Sequence, residues 1–184
     1  MKKYLVVLLL VMALAIPSAA LAQVRIGVAM PTQSLQRWNQ DGANMKMMLE
    51  AAGYVVDLQY ANNDVALQVA QIENMILNGA DILVISAIDG SSLGTVLAIA
   101  KEEGIPVIAY DRLIMETDAV SYYATFDNYK VGQLQGEYLV QALGLETLEG
   151  SVNMEIVAGS PDDNNARYFY QGAIDVLMPY IESG

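Results

Sequence analysis

The chain has 184 residues, of which 54% are hydrophobic and 16% charged, and its formal net charge at pH 7 is −12. This composition excludes a disordered chain, and the length suits one large domain or the start of a two-domain protein. The absence of cysteine and histidine excludes disulfides, Cys/His zinc sites and His-dependent catalytic triads, while the acidic charge disfavours nucleic acid as a partner.

Residues 1–22 have the pattern of a secretory signal peptide. Two lysines precede an apolar run over residues 4–16, and small residues precede Ala22, after which we expect cleavage. A retained membrane anchor is the weaker alternative, because spanning a bilayer takes about 20 apolar residues. We therefore expect export to the periplasm and, without a cysteine to carry a lipid, free diffusion there.

Six strand-length runs of branched and apolar residues follow along the chain. They cover residues 24–30, 54–60, 82–86, 106–110, 121–125 and 152–157. Most are too continuously apolar for half-exposed antiparallel strands, which favours buried parallel strands.

Apolar residues recur at helical spacing between these runs. The repeating sets are Met45, Met48, Leu49 and Ala52; Val65, Val69, Ile72 and Ile76; Leu93, Val96, Leu97 and Ala100; and Val131, Leu134, Tyr138 and Ala142. A glycine suited to the left-handed helix C-terminus follows each set, at positions 53, 79, 104 and 144. A last helix is expected to end near Pro179. The alternation predicts an α/β fold, a doubly wound parallel sheet with right-handed crossovers.

Ligands of open α/β sheets bind outside the carboxyl ends of the strands. The segments that follow the strands contain the single tryptophan, Trp38, and the polar residues Arg37, Asp89, Asp111, Arg112, Asp127, Asn128, Asp163 and Asn165. Planar carboxylate, amide and guanidinium groups can engage two neighbouring hydroxyls at once, and a tryptophan offers an apolar plane. This inventory favours a polyhydroxylated, neutral ligand.

Structural roles stay open for the same residues. Trp38 suits a core position as well as ligand stacking, the Asp111–Arg112 dipeptide suits a surface ion pair, and residues 162–165 include a helix cap. A cap or turn is the interpretation that we favour for Asp64, Asp89, Asp127 and Asn128.

Enzymatic interpretations have less support. No Gly-x-Gly-x-x-Gly follows the first strand and no P-loop motif occurs in the sequence. Asp111 and Asp163 could act as a hydrolytic carboxylate pair, but flanking arginines favour the charged form of both and leave no proton to donate. No cofactor and no metal site are predicted.

Four motifs together carry a specific resemblance. "RW" at 37–38, "YDR" at 110–112, "FDN" at 126–128 and "SPDDNNA" at 160–166 resemble the periplasmic aldose-binding proteins of ABC importers, a group of D-xylose-binding and multiple-sugar-binding receptors. The resemblance implies the type I periplasmic-binding-protein fold, in which two α/β lobes close over a sugar. It places a first lobe at residues 23–127 and the start of a second at 128–184.

The resemblance also implies residue roles and partners. It assigns sugar binding to Arg37, Trp38, Asp111 and Arg112 in the first lobe, sugar binding to Asp163 and Asn165 in the second, and a hinge crossing to Asp127 and Asn128. The implied partners are a monosaccharide, an ABC permease and possible sensor-kinase or chemoreceptor proteins.

Length is the main departure from that family, whose members are about twice as long. We therefore expect a truncated receptor, with a poorly determined second lobe and weak or absent sugar affinity. Two rival hypotheses remain: a periplasmic sugar-modifying enzyme on a similar sheet, and a transcriptional regulator, whose DNA-binding helix pair would have to occupy residues 1–22.

Overall fold

A five-stranded parallel sheet organises the computed structural model, which describes residues 23–183. Its strands are β1 (Arg25–Met30), β2 (Val55–Tyr60), β3 (Ile82–Ile85), β4 (Val107–Tyr110) and β5 (Val120–Ala124). They lie in the order β2-β1-β3-β4-β5, and every neighbouring pair is parallel. The first five predicted strands are therefore confirmed, each to within one residue at either end.

Five helices accompany the sheet. They are α1 (Gln36–Ala51), α2 (Val65–Leu77), α3 (Gly94–Glu102), α4 (Asn128–Leu143) and α5 (Asn164–Ser183). The four predicted C-terminal glycines all adopt positive φ, between 62° and 94°, which confirms their role in ending helices. The carboxylate of Asp64 caps α2 and that of Asp127 caps α4, as the sequence favoured.

Helices cover both faces of the sheet. On one face, α2 and α3 pack over a core that includes Ile72, Leu83 and Leu97. On the other, α1 packs over a core that includes Val28 and Trp38. Successive residues of β1 alternate between these cores because strand side chains point to opposite faces in turn, and the doubly wound architecture is confirmed.

The predicted strand at 152–157 is wrong. Residues 151–160 have no regular secondary structure, and every one of them is exposed. A strand is held by hydrogen bonds to a neighbouring strand, and within residues 23–183 none pairs with this segment. Its apolar sequence alone therefore does not produce a strand.

The predicted end of the last helix near Pro179 is also wrong. Helix α5 continues through Pro179 to Ser183. A proline removes one helical hydrogen bond, but buried Leu177 anchors this part of α5. The Ser183 hydroxyl donates to the Tyr180 carbonyl at 3.0 Å and supports the final turn.

No helix within residues 23–183 combines the length and apolar character needed to cross a membrane. The predicted signal peptide, residues 1–22, lies outside the described residues. The predicted lobe boundary after Asp127 coincides with the start of α4 and stays a prediction.

Candidate functional site

The chain turns sharply at the carboxyl end of β4. Asp111 has a φ of +64°, a conformation that residues other than glycine seldom adopt. The Arg112 amide donates to the Tyr110 carbonyl at 2.7 Å and closes a three-residue turn centred on Asp111. Two consecutive charged side chains are thereby placed at the edge of the sheet where ligands of such folds bind.

Three donors hold the Asp111 carbonyl. They are the Tyr123 hydroxyl at 3.1 Å, the Thr125 hydroxyl at 3.0 Å and the Asn165 side-chain amide at 3.1 Å. A strained backbone persists only where its surroundings fix it, and such strain concentrates at functional sites. The donors come from β5, the segment after it and α5, so distant parts of the chain fix this turn.

Arg37, in the first turn of α1, lies across the site from this turn. Its Nη2 donates to the Asp111 carboxylate and its Nε donates to Asp41 Oδ2 at 3.3 Å. Partial burial lowers the pKa of Arg37, but the hydrogen bonds and charges of Asp111 and Asp41 outweigh burial and raise it above its usual value. The Arg37 side chain remains 52% exposed, so part of it is open to a ligand.

Asp41 has a second partner, Tyr110, at the end of β4. The Tyr110 hydroxyl donates to Asp41 Oδ2 at 3.1 Å. Burial, followed by the charge and hydrogen bond of Asp41, raises the pKa of Tyr110. The Asp41 carboxylate therefore joins α1 to β4 beside Arg37.

Main-chain carbonyls hold the Arg112 side chain. Its Nη1 donates to the carbonyls of Ala87, at 3.1 Å, and Ile88, at 3.4 Å. Its Nε lies 3.1 Å from Asp163 Oδ2, but the N–H is not directed at that oxygen and makes no hydrogen bond. The Arg112–Asp163 contact is therefore an ion pair that keeps one buried donor free.

Both arginines converge on Trp38. The Arg37 Cζ lies 4.7 Å and the Arg112 Cζ 5.3 Å from the centroid of the indole ring, distances at which cations interact with aromatic rings. Trp38 is only 4% exposed and belongs to the core beneath α1. The burial supports its core role, and stacking of a sugar on Trp38 stays a prediction.

Asn165 connects α5 to the turn after β4. Its Nδ2 also lies 3.4 Å from Asp111 Oδ2, and its Oδ1 accepts from Asn128 Nδ2 at 2.8 Å. Asp163 Oδ1 in turn accepts from the backbone N–H of Asn165 at 3.0 Å. Asn165 and Asn128 are buried whereas Asp127 is exposed, and the hinge role of Asp127 and Asn128 stays a prediction.

The structure brings all six predicted binding residues to one edge of the sheet. Asp41 and Gln68 were not singled out from the sequence. Asp41 contacts Arg37 in the site, and Gln68 bonds the main chain beside the carbonyls that hold Arg112. Asp41 lies four residues after Arg37, the spacing at which helical side chains meet. Gln68 lies on the apolar stripe of α2, where a polar residue signals a buried hydrogen bond.

The arrangement offers forked donors on two guanidinium groups beside acceptors on two carboxylates and an amide. Adjacent hydroxyls, each both donor and acceptor, complement such groups. Among residues 23–183, no cluster of three or more side chains is suited to hold a metal ion.

Comparison with known proteins identifies a family. The model of the periplasmic binding protein domain matches residues 26–183. The chain is 54% identical to the multiple sugar-binding periplasmic protein of Azospirillum brasilense, over 91% of this chain and 47% of that relative. It is 43% identical to the D-xylose-binding periplasmic protein of Escherichia coli, over 88% of this chain and 47% of that relative.

Solved structures agree with the sequence relatives. A solute-binding protein of an ABC transporter from Clostridium phytofermentans, solved with bound β-D-glucose, is 67% identical with a TM-score of 0.85, over 87% of this chain and 49% of that one. A carbohydrate-transporter binding protein from Chloroflexus aurantiacus, solved with D-glucose, is 38% identical with a TM-score of 0.78. The match covers 88% of this chain and 46% of that one. The chain thus spans about half the length of the relatives it matches.

Proposed function

Because the chain belongs to the periplasmic binding protein domain family, we propose that it acts as a non-catalytic receptor for a monosaccharide, an aldopentose or aldohexose. The observation that carries this proposal is the convergence of Arg37, Asp111 and Arg112 with Asn165 at one sheet edge. Relatives named for binding multiple sugars and D-xylose support the ligand class.

The proposed ligand contacts follow from the side chains that converge at the carboxyl edge of the sheet. The exposed part of Arg37 and the unbonded Nε of Arg112 donate to sugar hydroxyls. The carboxylates of Asp111 and Asp163 accept from neighbouring hydroxyls, and the Asn165 amide can do both. A sugar therefore replaces some of the contacts that these side chains now make with one another.

Delivery to a transporter is part of the same proposal. Exported by the signal peptide at residues 1–22, the receptor works in the periplasm. Sugar contacts from both the first lobe, residues 23–127, and the second, from residue 128 onward, favour a closed form around the hinge at Asp127 and Asn128. A membrane ABC permease recognises that form, and a chemoreceptor or sensor kinase is a further partner.

The single tryptophan of the sequence provides a direct test. Trp38 lies beneath both arginines, so its fluorescence reports ligand at the site. We expect a saturable change on titration with D-glucose or D-xylose, matched by heat in calorimetry, with weak affinity because the chain spans about half the length of its relatives. No response to any pentose or hexose, from this chain or from a receptor of the full family length, would overturn the receptor proposal.

The enzyme alternative is separated by the fate of the sugar. A receptor returns each sugar unchanged after prolonged incubation, whereas an isomerase or hydrolase converts it. Chromatography of the sugars after incubation with the protein distinguishes the two, and product formation would favour the enzyme.

A further inference from the structure

Gln68 is a fully buried polar side chain outside the proposed sugar contacts. It lies on α2 and is 0% exposed. Its Nε2 donates to the Ser86 carbonyl at 3.0 Å, and its Oε1 accepts from the Ile88 amide at 2.9 Å. Both ends of this one amide group therefore hold the main chain that follows β3.

The segment held by Gln68 is the one that binds Arg112. The two hydrogen bonds of the Gln68 side chain lie on either side of Ala87. The carbonyls of Ala87 and Ile88 are the acceptors for Arg112 Nη1. A continuous path of hydrogen bonds thus runs from Gln68 through residues 86–88 to the Arg112 guanidinium. The path crosses from β3 to β4, which are adjacent strands of the sheet.

We propose that Gln68 is a positioning residue for the sugar site, acting through the carbonyls that orient Arg112. The proposal rests on the proposed function only in that Arg112 binds sugar. Binding groups need support that holds them to within about 0.5 Å of their working positions. Because a guanidinium is a rigid planar fork, displacement of its two acceptor carbonyls redirects its remaining N–H groups.

The competing interpretation is that Gln68 only stabilises the fold, and α2 contains a matched control. Gln71, one turn later, donates from Nε2 to the Tyr60 carbonyl at 3.1 Å. This bond also joins α2 to the end of a strand, but Tyr60 ends β2 and holds neither carbonyl that binds Arg112. Gln68→Met and Gln71→Met each replace an amide by an unbranched apolar side chain of similar length.

The first measurement needs no ligand. Nuclear magnetic resonance of ¹⁵N-labelled protein follows rotation and hydrogen exchange of the arginine guanidinium groups. Gln68→Met should speed both at Arg112 and leave Arg37 unchanged, whereas Gln71→Met should alter neither. Unchanged Arg112 signals in folded Gln68→Met would overturn the proposal. If Gln68→Met does not fold, Gln68→Asn serves instead, because it keeps an amide but is one methylene too short to bond both Ser86 and Ile88.

The second measurement is sugar affinity, by Trp38 fluorescence. We expect Gln68→Met to weaken D-glucose or D-xylose binding about tenfold, equivalent to 1.4 kcal/mol, and Gln71→Met to leave it unchanged. In an Arg112→Lys background, Gln68→Met should cause little further loss, because a lysine ammonium is not a rigid planar fork whose remaining N–H groups the two carbonyls could direct. Full additivity would overturn the proposal. Absence of sugar binding by the wild type, both in this chain and in a receptor of the full family length, would refute the receptor function, while the Arg112 resonances would still decide the role of Gln68.

Discussion

Asp111 combines a charged side chain with a left-handed backbone, and substitutions separate the two. The left-handed conformation costs most L residues about 1–2 kcal/mol but costs glycine almost nothing. Asp111→Gly and Asp111→Ala both remove the ion pair with Arg37 and the contact with Asn165, so only the backbone term differs between them.

We therefore predict that Asp111→Gly is more stable than Asp111→Ala by about 1 kcal/mol. Urea unfolding of the two variants measures this difference directly. Equal stability, or a more stable alanine variant, would show that the turn after β4 carries no strain. Both variants should lose sugar affinity, because neither has a carboxylate.

Substitution of Arg112 should affect sugar binding, whereas substitution of Asp64 should affect stability. Arg112→Ala removes a guanidinium from the proposed site and is expected to abolish sugar binding. Asp64→Ala removes only the bond from the Leu67 amide that caps α2, which should lower the free energy of unfolding by about 1 kcal/mol and leave affinity nearly unchanged. Fluorescence titration and thermal unfolding of both variants check the two expectations, and an equal loss of affinity would contradict them.

At the residue scale, the sequence predicted the convergence at the sheet edge but not the contacts within it. Topology places the residues after parallel strands together, which is why Arg37 and Arg112 are neighbours. The Gln68 contacts depend on how closely α2 packs on β3, and spacing along the chain does not reveal that distance. Trp38 suited either a core or a stacking role from sequence, and its burial emerges only from the packing of α1.

At the element scale, the close contact of α4 and α5 depends on glycines. A Cβ added at Gly172 would overlap the Tyr129 carbonyl and lie 3.1 Å from the Gly132 Cα. Backbone atoms of a packed helix cannot move aside without separating the helices. Gly172→Ala is therefore expected to lower the free energy of unfolding by about 1–3 kcal/mol, despite the higher helix propensity of alanine.

Gly94→Ala is the matched control for this substitution. Gly94 also lies in a helix, but a Cβ there meets only the Glu116 carbonyl, at 3.4 Å. This variant should be neutral or slightly stabilised. Thermal unfolding of both variants tests the comparison, and a Gly172→Ala protein as stable as Gly94→Ala would show that the helices can separate freely.

Prediction of the elements succeeded where local pattern and long-range pairing agree. The runs that became β1 to β5 are rich in branched and aromatic residues, and each has a strand beside it. The run at 152–157 has the same local pattern but no pairing partner among the described residues. Strand formation is thus a property of pairs of segments, whereas the glycine that ends a helix acts within a few residues and is readily predicted.

At the scale of the whole molecule, the α4–α5 pair meets the sheet through polar groups. Asn165 lies at the centre of this junction, since its amide bonds to the Asp111 carbonyl and accepts from Asn128. The ion pair between Arg112 and Asp163 spans the same junction. The residues proposed to bind sugar are therefore also those that connect the two parts, so ligand and junction should be coupled.

Asn165→Ala tests this coupling. Loss of the side-chain amide removes the shorter of the two hydrogen bonds that Asn128 donates, and it removes one donor from the Asp111 carbonyl. The free energy of unfolding should fall by about 1–3 kcal/mol. We expect amide hydrogen exchange to accelerate in α4 and α5 while the sheet keeps its protection, because each part retains its own packing. Asn164→Ala, one residue earlier in α5, is the control. Uniform acceleration across the sheet as well would mean that the junction unfolds together with the core and does not act as a separate connection.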